Sequence, residues 1–208
     1  MLCVFLCAFA ALRETVLQLL NKAIFGGLIA LLVIAAIPYG TVEPWWRAAF
    51  VCAVFAIFIV ALVSGSFRIQ GGAILLPVLA LAVLAFVQTL SPGSLEVAGL
   101  SVWNTISADP YQTRFFALQC LALTACLALL YRYADTEGRR RVLIWAVIAV
   151  AVASAIFGIV HRPTPRGYAQ FINKNHFAYL MEMAFGLVLG LMLARGIRRD
   201  RLMIYVAL

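Results

Sequence analysis

Long apolar stretches alternate with short polar segments along the chain. A helix needs about 20 mainly apolar residues to cross the hydrocarbon core of a membrane. Six stretches reach or approach that length, so we predict transmembrane helices at residues 23–39, 47–64, 73–90, 114–131, 142–160 and 177–194. A further apolar stretch begins at Leu202 and reaches Leu208, the last residue. We interpret it as the start of a seventh span and expect the sequence to be the N-terminal fragment of a longer protein.

The first 22 residues join a short apolar run to an amphipathic one. Arg13 follows the apolar run, whereas a signal peptide carries its positive charges ahead of that run. We therefore predict an N-terminal amphipathic, interfacial segment at residues 1–22. A transmembrane helical domain follows at residues 23–208, and we expect it to be truncated at its C-terminus.

Composition favours a membrane protein over a soluble one. Hydrophobic residues make up 65% of the chain and charged residues 12%, and the mean hydropathy is +1.04. Soluble domains are about 45–50% apolar and about 25% charged. The predicted fold class is therefore an all-α membrane protein, a polytopic bundle of transmembrane helices.

The net charge of +8 arises from sixteen basic residues. Cytoplasmic loops of membrane proteins are enriched in Lys and Arg, so we predict a cytoplasmic N-terminus. That orientation leaves five of the sixteen on the outer side: Arg47, Arg114, Arg162, Arg166 and Lys174. We expect membrane lipids and no nucleic acid as partners, because the basic residues form no groove interleaved with aromatic residues.

The segment HRPTPRGYAQFINKNH precedes the sixth predicted span and contains three of the outer cations without any acid. Arginine forks match phosphate oxygens in pairs, so Arg162, Arg166 and Lys174 are candidate diphosphate ligands. Asn175 is a candidate cap for the sixth helix, whose free backbone N–H groups would add to an anion site. The alternative is a polar loop that touches anionic lipid headgroups.

One face of the sixth predicted helix carries polar and small residues: Asn175, Tyr179, Glu182, Gly186 and Gly190. A carboxylate exposed to lipid is costly, so we expect Glu182 to face the bundle interior or a water-filled cavity. An ion pair of Glu182 with Arg166, Lys174 or Arg114 is one interpretation. The other interpretations are that Glu182 is a general base or that it couples protons in a transporter.

A second outer segment, SADPYQTR, precedes the fourth span. Asp109 and Pro110 predict an ordinary helix start, with Asp109 as the cap, and Arg114 is a candidate for the same anion site. His176 lies near no second His or Cys, so we expect no metal there. It is either a polar residue of the helix start or an acid–base group. The five cysteines lie in apolar runs without metal-ligand spacing.

Three segments resemble a known family. FINKNHFAYLMEMAFGLVLGL resembles the F-x-N-x-N-H-F-A segment of the O-antigen ligase and polymerase superfamily. PYGTVEPWWRA resembles its P-x-G-x-V-E-P-W segment, and ISADPYQTR resembles its I-S-x-D-P-Y-x-T-R segment. All three occur in the order typical of that family, and the likeness covers roughly residues 24–200.

The resemblance implies a glycosyltransferase of the bacterial inner membrane that acts in lipopolysaccharide and cell-envelope biosynthesis. Such enzymes transfer a glycan from undecaprenyl diphosphate, on the periplasmic side, to lipid A-core or another glycan acceptor, without a cofactor or a metal. Polymerisation and protein glycosylation remain alternatives within the superfamily.

The resemblance also implies roles for particular residues. Arg114, Arg162, Arg166 and Lys174 would hold the carrier diphosphate, supported by Asn173, Asn175, His176, Tyr179 and Glu182. The histidine that activates the acceptor would lie in a later loop, beyond Leu208. We therefore expect no catalytic residue in this sequence and no activity from this part alone.

Overall fold

The computed structural model describes residues 2–36, 43–65, 67, 72–91, 93–97, 100–103, 105–160, 169–171 and 173–194. Helices α1 to α6 span Leu2–Ala36, Pro44–Val63, Leu76–Gln88, Pro110–Tyr133, Glu137–Val160 and Lys174–Ala194. A 3-10 turn at Gly72–Leu75 precedes α3. Strands β1, Ser94–Val97, and β2, Leu100–Trp103, form an antiparallel hairpin between α3 and α4.

The fold is that of an all-α, multi-pass membrane protein. Within the described residues, five helices are long and apolar enough to cross a membrane: Ala11–Ala36 of α1, all of α2, α4 and α5, and Lys174–Leu193 of α6. These correspond to five of the six predicted spans. The start of a seventh, from Leu202, lies outside the described residues.

The third predicted span, residues 73–90, is a shorter helix than expected. Helix α3 has 13 residues, about 20 Å at 1.5 Å per residue, whereas the hydrocarbon core is about 30 Å thick. Pro77 lies in its first turn, and a proline ring clashes with the carbonyl group four residues earlier, which disfavours an α-helical turn there. The chain before α3 therefore forms the tighter 3-10 turn instead.

The described residues group into two compact units. One unit comprises Met1–Asn21 and Val51–Tyr133, and the other comprises Lys22–Phe50 and Ala134–Leu208. Helix α1 runs from Leu2 to Ala36 without a break, so residue 22, where we expected the interfacial segment to end, is not a helix end. The membrane-surface position of that segment stays a prediction.

In the first unit, α3 packs against α4. The buried positions of α4 include several small residues, among them Ala117, Cys120 and Ala128. Small residues let helices approach closely in a membrane. The buried Thr124 hydroxyl donates to the carbonyl oxygen of Cys120 at 2.8 Å, so this polar group is satisfied within its own helix.

The β1–β2 hairpin was not predicted. Its register pairs Leu95 with Val102 and Val97 with Leu100, while Glu96 is paired with Ser101. Apolar residues therefore alternate with polar ones on both sides of the Ala-Gly pair at 98–99, as far as Trp103, which breaks the alternation in β2. That alternation is the signal that predicts a hairpin, although the run is short.

In the second unit, α5 packs against α6. Ile148, Ala151, Ser154 and Gly158 are the buried residues of α5, and their spacing of three or four places them on one side of the helix. Ala184 is the buried residue of α6. This unit contains most of the predicted site residues.

Candidate functional site

The site is built around the beginning of helix α6. Asn173 precedes the helix, and its Oδ1 accepts a hydrogen bond from the backbone N–H of Asn175 at 2.9 Å. The N–H of His176 donates to the Asn173 carbonyl oxygen at 3.1 Å. Asn173 is therefore the cap, and the prediction that Asn175 caps the helix is wrong. Asn175 already lies in the first turn, where its own backbone N–H is the donor.

Lys174, Asn175 and His176 are exposed in this first turn, which contains no acidic residue. The N-terminus of a helix carries the positive end of its dipole. The Lys174 ammonium adds a full positive charge at the same place. The helix start is therefore favourable for an anion, although the cap already uses one backbone N–H group.

An open groove lies beside this helix start, inside the second unit. Its volume is about 490 Å³, and its surface is almost wholly apolar. Three elements and the segment before α6 line it: Leu32, Ala35 and Ala36 of α1, Val147 and Val150 of α5, Phe171, and His176, Tyr179, Leu180 and Met183 of α6. Its volume is within the range of about 300–1,000 Å³ found for small-molecule sites.

The segment immediately before α6 packs tightly against α5. Ala169 has a positive φ of 52°, and a Cβ atom added to Gly158 would lie 3.1 Å from the Ala169 backbone nitrogen. The side chain of Gln170 donates to Ser154 Oγ at 2.7 Å and to the carbonyl oxygen of Ala36 at 3.2 Å. Phe171 is buried, with its ring 6.2 Å from that of Phe177.

Glu182 is not packed against α5 in the second unit. It is exposed, and so is Tyr179, at 63%. A Cβ atom added to Gly186 or Gly190 would meet nothing within 4 Å. Ala184 is the residue of α6 that is buried, and the expectation that Glu182 faces the bundle interior or a water-filled cavity stays a prediction. Glu182 makes no ion pair with Lys174, and it does not line the groove.

Arg114 lies in the other compact unit, near the start of α4. Pro110 begins this helix, and Asp109 Oδ1 accepts from the backbone N–H of Gln112 at 3.0 Å. The predicted cap is thus confirmed. Arg114 is exposed, and its membership of an anion site with Lys174 stays a prediction.

The structure brings Asn173, Lys174, Asn175, His176 and Tyr179 together at one helix start, with two of them on the groove. Arg162 and Arg166 lie outside the described residues. Gln170 and Ser154 were not among the residues predicted from the sequence. A serine within an apolar span and a glutamine beside an apolar run are the signals for such a pair, because buried polar groups need partners.

In the described part of the chain, no group of three or more His, Cys, Asp or Glu residues is placed to hold a metal ion. Comparisons with protein-family models, curated proteins and solved structures find no match to this chain. The likeness to the O-antigen ligase and polymerase superfamily rests on the three quoted segments.

Proposed function

We propose that this chain forms the carrier-binding part of an O-antigen ligase-like glycosyltransferase in the bacterial inner membrane. The observation that carries the proposal is the apolar groove beside the cationic start of α6. An amphiphile with an anionic head and a long apolar tail matches both halves of this arrangement. Undecaprenyl diphosphate linked to a glycan is such an amphiphile.

In this proposal the polyprenyl chain lies in the groove, against the side chains of Val147, Val150 and Leu32. The diphosphate lies at the helix start, near Lys174. Arg162 and Arg166 precede that helix in the sequence, and no acidic residue occurs between residues 138 and 181. They supply further charge for the same headgroup.

The reaction is an inverting displacement at the anomeric carbon. The acceptor hydroxyl oxygen forms a bond to that carbon while the bond to the diphosphate oxygen breaks. Negative charge grows on the departing diphosphate, and nearby cations stabilise that charge in the transition state. The acceptor proton passes to a base outside these residues, in keeping with the family resemblance.

The acceptor distinguishes a ligase from a polymerase. Both bind the same donor, and every described residue of the proposed site serves donor binding. Lipid A-core is the acceptor of a ligase, and a second carrier-linked repeat is the acceptor of a polymerase. We propose that the protein is a ligase, and competition between the two acceptors tests this in a transfer assay with a protein that also contains the expected later loop.

Donor binding is tested with the purified chain in lipid nanodiscs, using undecaprenyl diphosphate and the uncharged alcohol undecaprenol. We expect Lys174→Ala to weaken diphosphate binding about tenfold, since a charge-assisted hydrogen bond contributes about 1.5–3 kcal/mol and about 1.4 kcal/mol corresponds to a factor of ten. Undecaprenol binding should be unchanged by this substitution.

The groove is tested separately by Val150→Phe, which fills part of it. We expect this substitution to weaken binding of both lipids. Ile156→Phe on an exposed position of the same helix is the matched control and should leave both affinities unchanged. Equal affinity of the wild-type chain for undecaprenyl diphosphate and undecaprenol would contradict the anion site.

A further inference from the structure

We infer that Gln170 is a positioning residue that holds the start of α6 and the groove walls in one arrangement. Its side-chain amide bonds to Ser154 of α5 and to the last residue of α1, Ala36. It therefore joins three separate parts of the chain. For the identity of the bound lipid this inference rests on the proposed function; for the geometry it stands alone.

The chemistry of the two acceptors fixes how the Gln170 amide is oriented. A backbone carbonyl can only accept, so the group that faces the Ala36 oxygen must be the amide nitrogen, which carries two hydrogens. The second hydrogen serves Ser154 Oγ at 2.7 Å. Both hydrogens of one amide group are therefore used.

These two bonds satisfy two acceptors, a backbone carbonyl and a buried hydroxyl. Ala36 is the last described residue of α1, and Gln170 donates to its carbonyl oxygen at 3.2 Å. Ser154 is buried, with 3% of its surface exposed, in an apolar part of α5. An unsatisfied polar group costs several kcal/mol in hydrocarbon surroundings, so Gln170 stabilises this arrangement through two acceptors at once.

The packing of the neighbouring residue allows the Gln170 side chain to reach them. Gly158 lets the Ala169 backbone approach α5 more closely than any residue with a Cβ atom would. Ser154 lies six residues before Val160, where α5 ends, or about 9 Å along the helix axis. The segment 169–171 therefore lies alongside α5 rather than beyond its end.

Gln170 is connected directly to the groove. Ala36, which accepts its hydrogen bond, lines the groove, and so does Phe171, the next residue in the chain. Asn173, the cap of α6, follows two residues later. Loss of the Gln170 bonds should therefore move the groove wall and the cationic helix start together.

The geometry is tested by pulsed electron paramagnetic resonance on the full chain in nanodiscs. The five native cysteines are replaced by serine, and spin labels are attached at Ile156→Cys and Ala178→Cys, two exposed positions on α5 and α6. We expect one narrow distance distribution for the wild-type pair. Gln170→Leu and the isosteric Gln170→Glu, whose carboxylate cannot donate, should each broaden it.

Gly158→Ala should broaden the distribution in the same way, because it displaces Ala169 while Gln170 is intact. Gly186→Ala is the matched control, since its added methyl group meets open space, and it should leave the distribution narrow. The spectra are recorded well below each variant's melting temperature, so a loss of stability alone does not broaden them. A distribution that stays narrow in both Gln170 variants would overturn the inference.

Binding of undecaprenyl diphosphate is measured on the same variants. A severalfold loss of affinity in Gln170→Leu and Gly158→Ala, with none in Gly186→Ala, supports the link from Gln170 to the site. Broadened distances with unchanged affinity would overturn that link. If the wild-type chain does not bind the lipid, the proposed function fails, and the distance measurement still decides the role of Gln170 in positioning α6.

Discussion

The two ends of helix α5 are held by different kinds of interaction. At its beginning, Arg139 pairs with Asp135 at 3.2 Å and Arg141 pairs with Glu137 at 2.9 Å, all with solvent access. Thr136 Oγ1 accepts from the backbone N–H of Arg139 at 3.3 Å. Toward its other end, neutral groups that are buried or half-buried meet the segment before α6.

The end of α5 with more charged residues is therefore not the end where substitutions should cost more stability. Exposed ion pairs at i,i+4 spacing contribute about 0.3–0.5 kcal/mol each, because water and salt screen them. A buried hydrogen bond contributes about 1 kcal/mol, but leaving its partner unsatisfied costs about 1–3 kcal/mol. The charged end of α5 should therefore tolerate substitution far better than the neutral end.

The largest effect on stability is expected from Gly158→Ala. Its methyl group would lie 3.1 Å from a backbone nitrogen, and backbone can give way only by moving the segment. We expect the free energy of unfolding to fall by about 1–3 kcal/mol, the range for overpacked sites. Denaturant unfolding in mixed micelles measures this change, and Gly186→Ala should show no comparable loss.

An intermediate effect is expected from Ser154→Ala, which removes one acceptor of the Gln170 amide. The free energy of unfolding should fall by about 1 kcal/mol, since the other bond to Ala36 remains. Thr124→Val is the matched control, because that buried hydroxyl donates to a carbonyl oxygen of its own helix. A larger loss in Thr124→Val than in Ser154→Ala would contradict the difference between the two kinds of buried hydroxyl.

The smallest effect is expected at the charged end. Arg141→Ala should lower the free energy of unfolding by less than about 0.5 kcal/mol. Arg139→Ala should cost somewhat more, because its guanidinium also lies 5.4 Å from the ring centroid of Phe25, a cation–π contact. Repeating the unfolding in high salt should reduce the Arg141 effect further. A larger fall in the free energy of unfolding for Arg141→Ala than for Ser154→Ala would contradict the comparison.

Much of the fold follows from the sequence because long apolar runs dominate it. The spans of α2, α4, α5 and α6 were predicted to within a few residues at most ends. The sixth was expected to begin at residue 177 but begins at Lys174, since the polar residues of its first turn interrupt the apolar pattern. The 13 residues of α3 depend on Pro77, whose effect is local and absent from a hydropathy average.

The candidate site was predicted less completely. Helical spacing correctly grouped Asn175, Tyr179 and Glu182 on one face, but spacing does not tell which face a neighbouring helix covers. That depends on where α5 lies, and α5 leaves this face exposed. The role of Gln170 was missed for a similar reason: its acceptors are 16 and 134 residues away in the sequence.

Helices α3 and α4 pack side by side, yet they differ in length. The 13 residues of α3 and the four of its preceding turn extend about 28 Å, whereas the 24 residues of α4 extend about 36 Å. Hydrophobic mismatch costs a fraction of a kcal/mol per ångström. Mismatch depends on apolar length, and the uncharged stretch of α4 between Arg114 and Arg132 has 17 residues, or about 26 Å. The two helices therefore match bilayers of nearly the same thickness, and the extra length of α4 lies in its polar ends.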